Sequence, residues 1–329
     1  MKKKYLICKI EVTSRTLIFM SRLSTVIYVV ALTLLLQSLL FSRTSAQIHF
    51  LPPSDTYRAD RLKKVVLTES LIFAATSVGL YFLWYKKYPK SRFHFIRDGK
   101  EWLQIDKLGH ATTAYSIASM HYDMMRWSGV NRSSAINTSI ITSLAYLSII
   151  EIMDGFSRDW GFSGGDMLAN LSGAALFAGQ QYLWGEQRIG MRVSAQLTPF
   201  AKQNPKLLGN NFASRLMKDY NGQTYWLSAN IRSFLPQNSN FPAWSNIAIG
   251  YGGSGMTRAN KKDQESNTSA NNSVDRYRQW YLAPDAALYR VPSKNSWTTP
   301  FYLLQFMKFP APAIEWNSKR KFKLHPIHY

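Results

Sequence analysis

The chain has 329 residues, of which 46% are hydrophobic and 18% charged, with a formal net charge of +21 and a single cysteine. Its length allows two domains, and a mean hydropathy of -0.20 excludes a transporter-like chain lying mostly in lipid. One cysteine excludes a disulfide framework and a multi-thiolate metal site.

The densest apolar run, Val26 to Phe41, follows Arg22 and precedes Arg43-Thr44-Ser45-Ala46-Gln47. A basic flank, a short apolar stretch and small residues at Thr44 and Ala46 read as a secretory signal peptide cut after Ala46, with Met20 as an alternative start. The competing reading is an uncleaved anchor, although the run falls short of the ~20 apolar residues that span a bilayer. Cys8 lies upstream of the cut, so the mature chain has no thiol chemistry. Removing residues 1–46 takes away seven basic residues and Glu11, leaving +15. That excess suits a membrane with anionic lipid head groups, which attract basic residues by ~1 kcal/mol each, or a protein partner. Export and the lack of a clustered basic helix argue against nucleic acid.

Four segments then read as helices: Val65 to Tyr85, Asp106 to Met125, Ala135 to Met153 and Asp166 to Trp184. Their lengths suit bilayer spans, but the second is too polar to face lipid all round. The fourth carries small-xxx-small pairs, Ala169 with Gly173 among them, which let a neighbouring backbone approach closely. If these helices span, the basic first connection (Lys86, Lys87, Lys90, Arg92, Arg97, Lys100) belongs on the cytoplasmic side. After Gly190 the chain becomes rich in Trp, Tyr and Phe. Short strands are expected at Trp244 to Tyr251, Tyr277 to Leu282, Phe301 to Phe309 and Lys321 to Tyr329, with a mobile loop from Arg258 to Asp275. Too few strands are visible for a complete outer-membrane barrel. The expected fold is mainly α: a compact bundle of about four membrane-compatible helices over residues 47–190, then a smaller mixed, aromatic-rich region with short strands over 191–329.

The chemistry-bearing residues gather between Asp106 and Gly173. They read Asp106-Lys107-x-x-His110, Glu151-x-x-Asp154-Gly155 and Trp160-Gly161-Phe162-Ser163-x-Gly165-Asp166-x-x-Ala169-Asn170. Residues three or four apart share a helix face, and two reversals of antiparallel helices return all of them to one end. The candidate cluster is therefore Asp106, His110, Glu151, Asp154, Asp166 and Asn170. Of these, His110, Glu151, Asp154 and Asp166 are candidate ligands for a hard or borderline metal, or acid–base groups for hydrolysis. Equally, Asp106 and Ser163-x-x-Asp166 can be helix caps, and Glu151 and Asp154 can pair with Lys107 or Arg158. His49, His94, His121, His325 and His328 have no comparable company.

On these three motifs the stretch from about 100 to 185 resembles the YfiM-like family, a domain of unknown function in bacterial predicted periplasmic lipoproteins. The Asp166-x-x-x-Asn170-x-x-Gly173 run alone is loosely similar to VanZ-like membrane proteins. The resemblance implies an envelope location and a shared helical core, and it carries no reaction or cofactor. One departure is that no cysteine follows the expected signal. Two functions stay open: a structural or binding protein of the envelope, or a membrane-associated hydrolase or metal-binding protein using His110 with the carboxylates. No HExxH or phosphate-cradling loop is present.

Overall fold

The computed structural model describes residues 51–86, 89–266, 274–291 and 299–329; the expected signal segment and its cut after Ala46 lie outside them. Long helices form at Ala59–Leu80 (α1), Ile105–Trp127 (α2), Arg132–Gly155 (α3) and Gly164–Trp184 (α4). A π-helical turn at Tyr81–Tyr85 prolongs α1. Local chemistry sets the boundaries. The Asn131 side chain accepts from the Ser134 backbone N–H at 2.9 Å and starts α3. Ser163 caps α4 by accepting from the Asp166 N–H at 3.1 Å, and Gly185, at φ +76°, ends it.

Helices α2 and α4 make the closest helix pair. A Cβ placed on Gly173 would lie 2.0 Å from the Ala111 carbonyl oxygen, so only glycine lets the two backbones meet there. Around that contact Ala111, Tyr115, Ala118, Ile136 and Phe177 form a buried core with Met191. A two-residue parallel pairing of Phe95–Ile96 (β1) with Phe162–Ser163 (β2) pins the segment before α2 to the turn between α3 and α4.

The remainder is an antiparallel sheet of six strands in sequence order. The strands are Ile189–Ala195 (β3), Gln223–Asn230 (β4), Ser245–Ser254 (β5), Tyr277–Ala286 (β6), Ala311–Asn317 (β7) and Phe322–His328 (β8). This corrects the expected mainly α fold with minor short strands: the sheet is as much an architectural unit as the helices. Strands β5, β6 and β8 fall near expected runs, whereas β3, β4 and β7 do not. Phe301 to Phe309, expected as a strand, instead holds the end of a short helix, Thr299–Leu303, and a single parallel bridge from Met307 to Val193. The expected loop at Arg258 to Asp275 contains a short helix, Lys261–Ser266.

The expectation of four membrane-compatible helices is also corrected. Among the described residues only α3 is long and apolar enough to cross a membrane. Lys63, Lys64 and Glu69 interrupt α1, and glycine, asparagine and glutamine dilute α4.

Candidate functional site

The first turns of α2, the last turn of α3 and the first turns of α4 meet at one end of the helix group. His110 is the hub. Its Nδ1 lies 3.1 Å from Asn170 Oδ1 on α4 and 3.6 Å from Glu151 Oε1 on α3. Its Nε2 lies 3.7 Å from Asp166 Oδ1. Both of the partners facing Nδ1 are acceptors, so Nδ1 donates on that side, and Nε2 faces Asp166 beside the cavity. Asp106, one helical turn before His110, completes a group of three whose ligand atoms lie within 4.8 Å of one another. Asp154 stands on the wall of the same cavity and accepts from the Tyr85 hydroxyl at 2.7 Å.

Lys107 contributes the ammonium of the cluster. Its Nζ donates to Asp98 at 2.5 Å, to Asp166 at 2.6 Å and to Asp106 at 3.1 Å. The anticipated pairing of Lys107 or Arg158 with Glu151 or Asp154 is not the one formed. Glu151 instead accepts from the Ser163 backbone N–H at 3.2 Å, and its second oxygen has no hydrogen-bond partner although the residue is only 1% exposed. Asn170 is wholly buried, with its Nδ2 similarly unpaired. Five carboxylates, Asp98, Asp106, Glu151, Asp154 and Asp166, thus share one ammonium and one imidazole.

Burial and the neighbouring Asp106 push the Asp166 carboxyl up to about 6. Desolvation works against a charged His110, but Asp106, Asp166 and Glu151 together raise it above the usual imidazole value. Asp98 moves the other way. Burial pushes it up, and hydrogen bonds from Lys107 and Ser163 outweigh that and hold it below the ordinary carboxylate range.

The cluster borders a cavity of about 630 Å³. Asp106, His110, Asp154 and Asp166 stand on its polar side, while Leu80, Trp102, Leu147, Ile150, Trp160 and Met217 form apolar and aromatic walls. The turn leading into α2 is strained. Trp102, Leu103 and Gln104 hold φ of 45°, 54° and 65°, each at a cost of ~1–3 kcal/mol for a residue other than glycine. The sheet region clamps this turn. The Trp102 N–H donates to the Ala259 carbonyl at 3.0 Å. The Tyr251 hydroxyl donates to the Leu103 carbonyl at 2.7 Å, and Arg278 donates to Gln104 Oε1 at 2.6 Å. Tyr220, just before β4, donates to Asp106 at 2.8 Å.

Sequence reasoning missed Tyr85, Asp98 and Tyr220, which come from outside the motifs. Only Asp98-Gly99 gave any signal, and that was of a turn. Of the remaining histidines, His121 is buried against Glu69 at 2.8 Å, His325 meets Glu315 at 2.7 Å, and His328 stacks on Tyr281 with ring centroids 4.3 Å apart. His94 lies 3.3 Å from the Ser91 hydroxyl. His49 lies outside the described residues.

The helices carrying the cluster are also where the chain matches a family model. Residues 95–180 match the family described as predicted periplasmic lipoproteins, DUF2279. All six cluster residues fall inside that span, and the six-stranded sheet falls outside it. The family's description supports an exported, envelope location and assigns no activity. The looser VanZ-like similarity is not shown. No curated protein and no solved structure matches the chain.

Proposed function

We propose that this envelope protein binds a divalent cation at Asp106, His110 and Asp166, and that the cation presents open coordination positions to the polar end of a ligand lying in the adjacent cavity. The observation that carries this reading is the orientation of His110. Its Nδ1 is occupied by Asn170 and faces Glu151, which is how a metal-binding imidazole is usually held by an outer partner. Its Nε2 is left facing Asp166 beside the cavity. Two carboxylates and one imidazole suit a hard or borderline cation such as magnesium, manganese or zinc. The surplus of carboxylates supplies the charge that such an ion would neutralise. The apolar walls suit a ligand with a polar head and an apolar body, and a cation at the cavity floor would polarise an oxygen placed on it.

A second reading has its own observation. Lys107 Nζ lies within 3.1 Å of Asp98, Asp106 and Asp166, so an ammonium already fills part of a cation's role, and the cluster would then be a structural ion-pair network. Calorimetric titration of the purified full chain with manganese(II) and zinc(II) separates the two. Cation binding requires saturable uptake that is abolished in both His110→Ala and Asp166→Asn. A structural network gives no saturable heat in the parent protein.

A further inference from the structure

The register of the six-stranded sheet sorts its side chains into rows, and the two faces are inverted relative to a water-soluble sheet. On the outer face one row runs Met191, Leu227, Ile249, Leu282, Ile314 and Leu324 without a polar interruption. The next row on that face, two residues along each strand, is aromatic from β4 onwards: Tyr225, Tyr251, Trp280, Trp316 and Phe322. Beyond it stand Arg278 and the β7–β8 turn with Lys319 and Lys321. Met191 is covered by α2 and α4, but Ile249 is 63% exposed, and Leu282, Trp316 and Phe322 are exposed as well.

The inner face is lined mostly by polar and small residues, around a buried cluster of Trp226, Tyr281 and three alanines. Arg192 and Asp285 pair at 2.9 Å with both side chains buried, Ser228 donates to Asp285 at 2.5 Å, and buried Glu315 meets His325 at 2.7 Å. Soluble antiparallel sheets bury their apolar face and wet the other. Apolar outside, polar inside and an aromatic row at the border of the apolar band is the pattern of sheets that face lipid. Strands β5 and β6 are 10 residues each, within the ~9–11 that cross a bilayer. Backbone groups at a sheet edge must also be satisfied in hydrocarbon, and the edge of β3 is partly so. The Val193 N–H donates to the Phe306 carbonyl at 2.8 Å, and the Lys308 N–H donates to the Val193 carbonyl at 2.9 Å.

We infer that the outer face of β5 to β8 lies against the hydrocarbon of a lipid bilayer, with the aromatic row at the head-group level and Lys319 and Lys321 in the water beyond it. The polar interior identifies the occupant. A partner protein would cover an apolar patch on an ordinarily packed sheet, whereas here the large aliphatic side chains point outward along successive strands and the charged Arg192, Asp285 and Glu315 point inward. The surface does not depend on a cation at His110.

Quenching by lipid tests the inference. In full chain carrying Cys8→Ser, single cysteines from Ile249→Cys, Leu282→Cys and Lys262→Cys are labelled with bimane and placed in phosphatidylcholine vesicles with or without brominated acyl chains. The exposure of these positions keeps the substitutions out of the core, and the two outer-face sites give independent readings. The inference expects loss of fluorescence in brominated vesicles at Ile249 and Leu282 and none at Lys262. Equal fluorescence in both vesicle types at Ile249 and Leu282 overturns it. So does a lipid-free, detergent-free dimer by light scattering in which those two positions are shielded from a water-soluble quencher, because a second copy would then be the occupant.

Discussion

At the helix ends, five carboxylates share one ammonium and one imidazole beside a cavity of about 630 Å³. Inside the sheet, Asp285 meets Arg192 and Glu315 meets His325, and the cavity bordering Arg192 and Ser228 is about 40 Å³, little more than room for a water. Both networks are buried and hydrogen-bonded, so burial alone does not separate them. Charge balance and access do. A balanced pair in a confined space holds strands together, whereas an unbalanced cluster on an open wall has charge left over, which is what the proposed cation would neutralise. The sheet also serves the helices directly, because Tyr251 and Arg278 hold the strained turn that aims Asp106, Lys107 and His110.

The largest expected effect sets one network against the other. Lys107→Met and Arg192→Met each strand buried carboxylates and should cost ~3–5 kcal/mol of stability, as for breaking a buried ion pair from one side. Millimolar manganese(II) should restore much of the loss in Lys107→Met and none in Arg192→Met, measured by denaturant unfolding. Absence of that asymmetry would make the helix-end cluster a strut like its counterpart in the sheet.

Next is the helix contact beneath the site. Gly173→Ala puts a methyl into the Ala111 carbonyl and should destabilise by ~1–3 kcal/mol, the range for overpacking. An unchanged unfolding midpoint would mean that α2 and α4 are further apart than described. A smaller effect is coupling. His110→Ala and Asp166→Asn should be non-additive by ~0.5–3 kcal/mol, whereas His110→Ala with Arg192→Met should add within ~0.5 kcal/mol. Additivity in the first pair would dissolve the cluster into separate caps.

The smallest and most gradual effect is that of pH on cation affinity. A proton on Asp166, pushed up to about 6, or on His110, also raised, competes with the ion. Affinity should therefore weaken as pH falls through about 6 and level off above neutrality. Affinity that is flat from pH 5 to 8 would place the ion elsewhere.

The two halves were not equally legible in the sequence. Helical spacing and the antiparallel return of short connections were enough to gather Asp106, His110, Glu151, Asp154, Asp166 and Asn170, because these residues sit on continuous helices where i, i+4 geometry is fixed. Asp98, Tyr85 and Tyr220 reach the same place through a β1–β2 pairing, a π-helical turn and the lead into a strand, none of which has a periodic signature. The sheet was misjudged for a related reason. Strands such as Ile189–Ala195 and Gln223–Asn230 interleave Gly, Ser, Thr and Asn with Ile, Met, Leu, Trp and Tyr. Read as loop punctuation, those small polar residues conceal a period-two pattern whose inner face is the polar one.

The central claim is that the Asp106–His110–Asp166 cluster is a cation site, and anomalous diffraction from crystals soaked in manganese(II) tests it most directly. The account predicts one peak at coordination distance from His110 Nε2 and from an oxygen each of Asp106 and Asp166, with Lys107 displaced towards Asp98. Crystals that take up no manganese there, with Lys107 still bridging Asp98, Asp106 and Asp166, would contradict it.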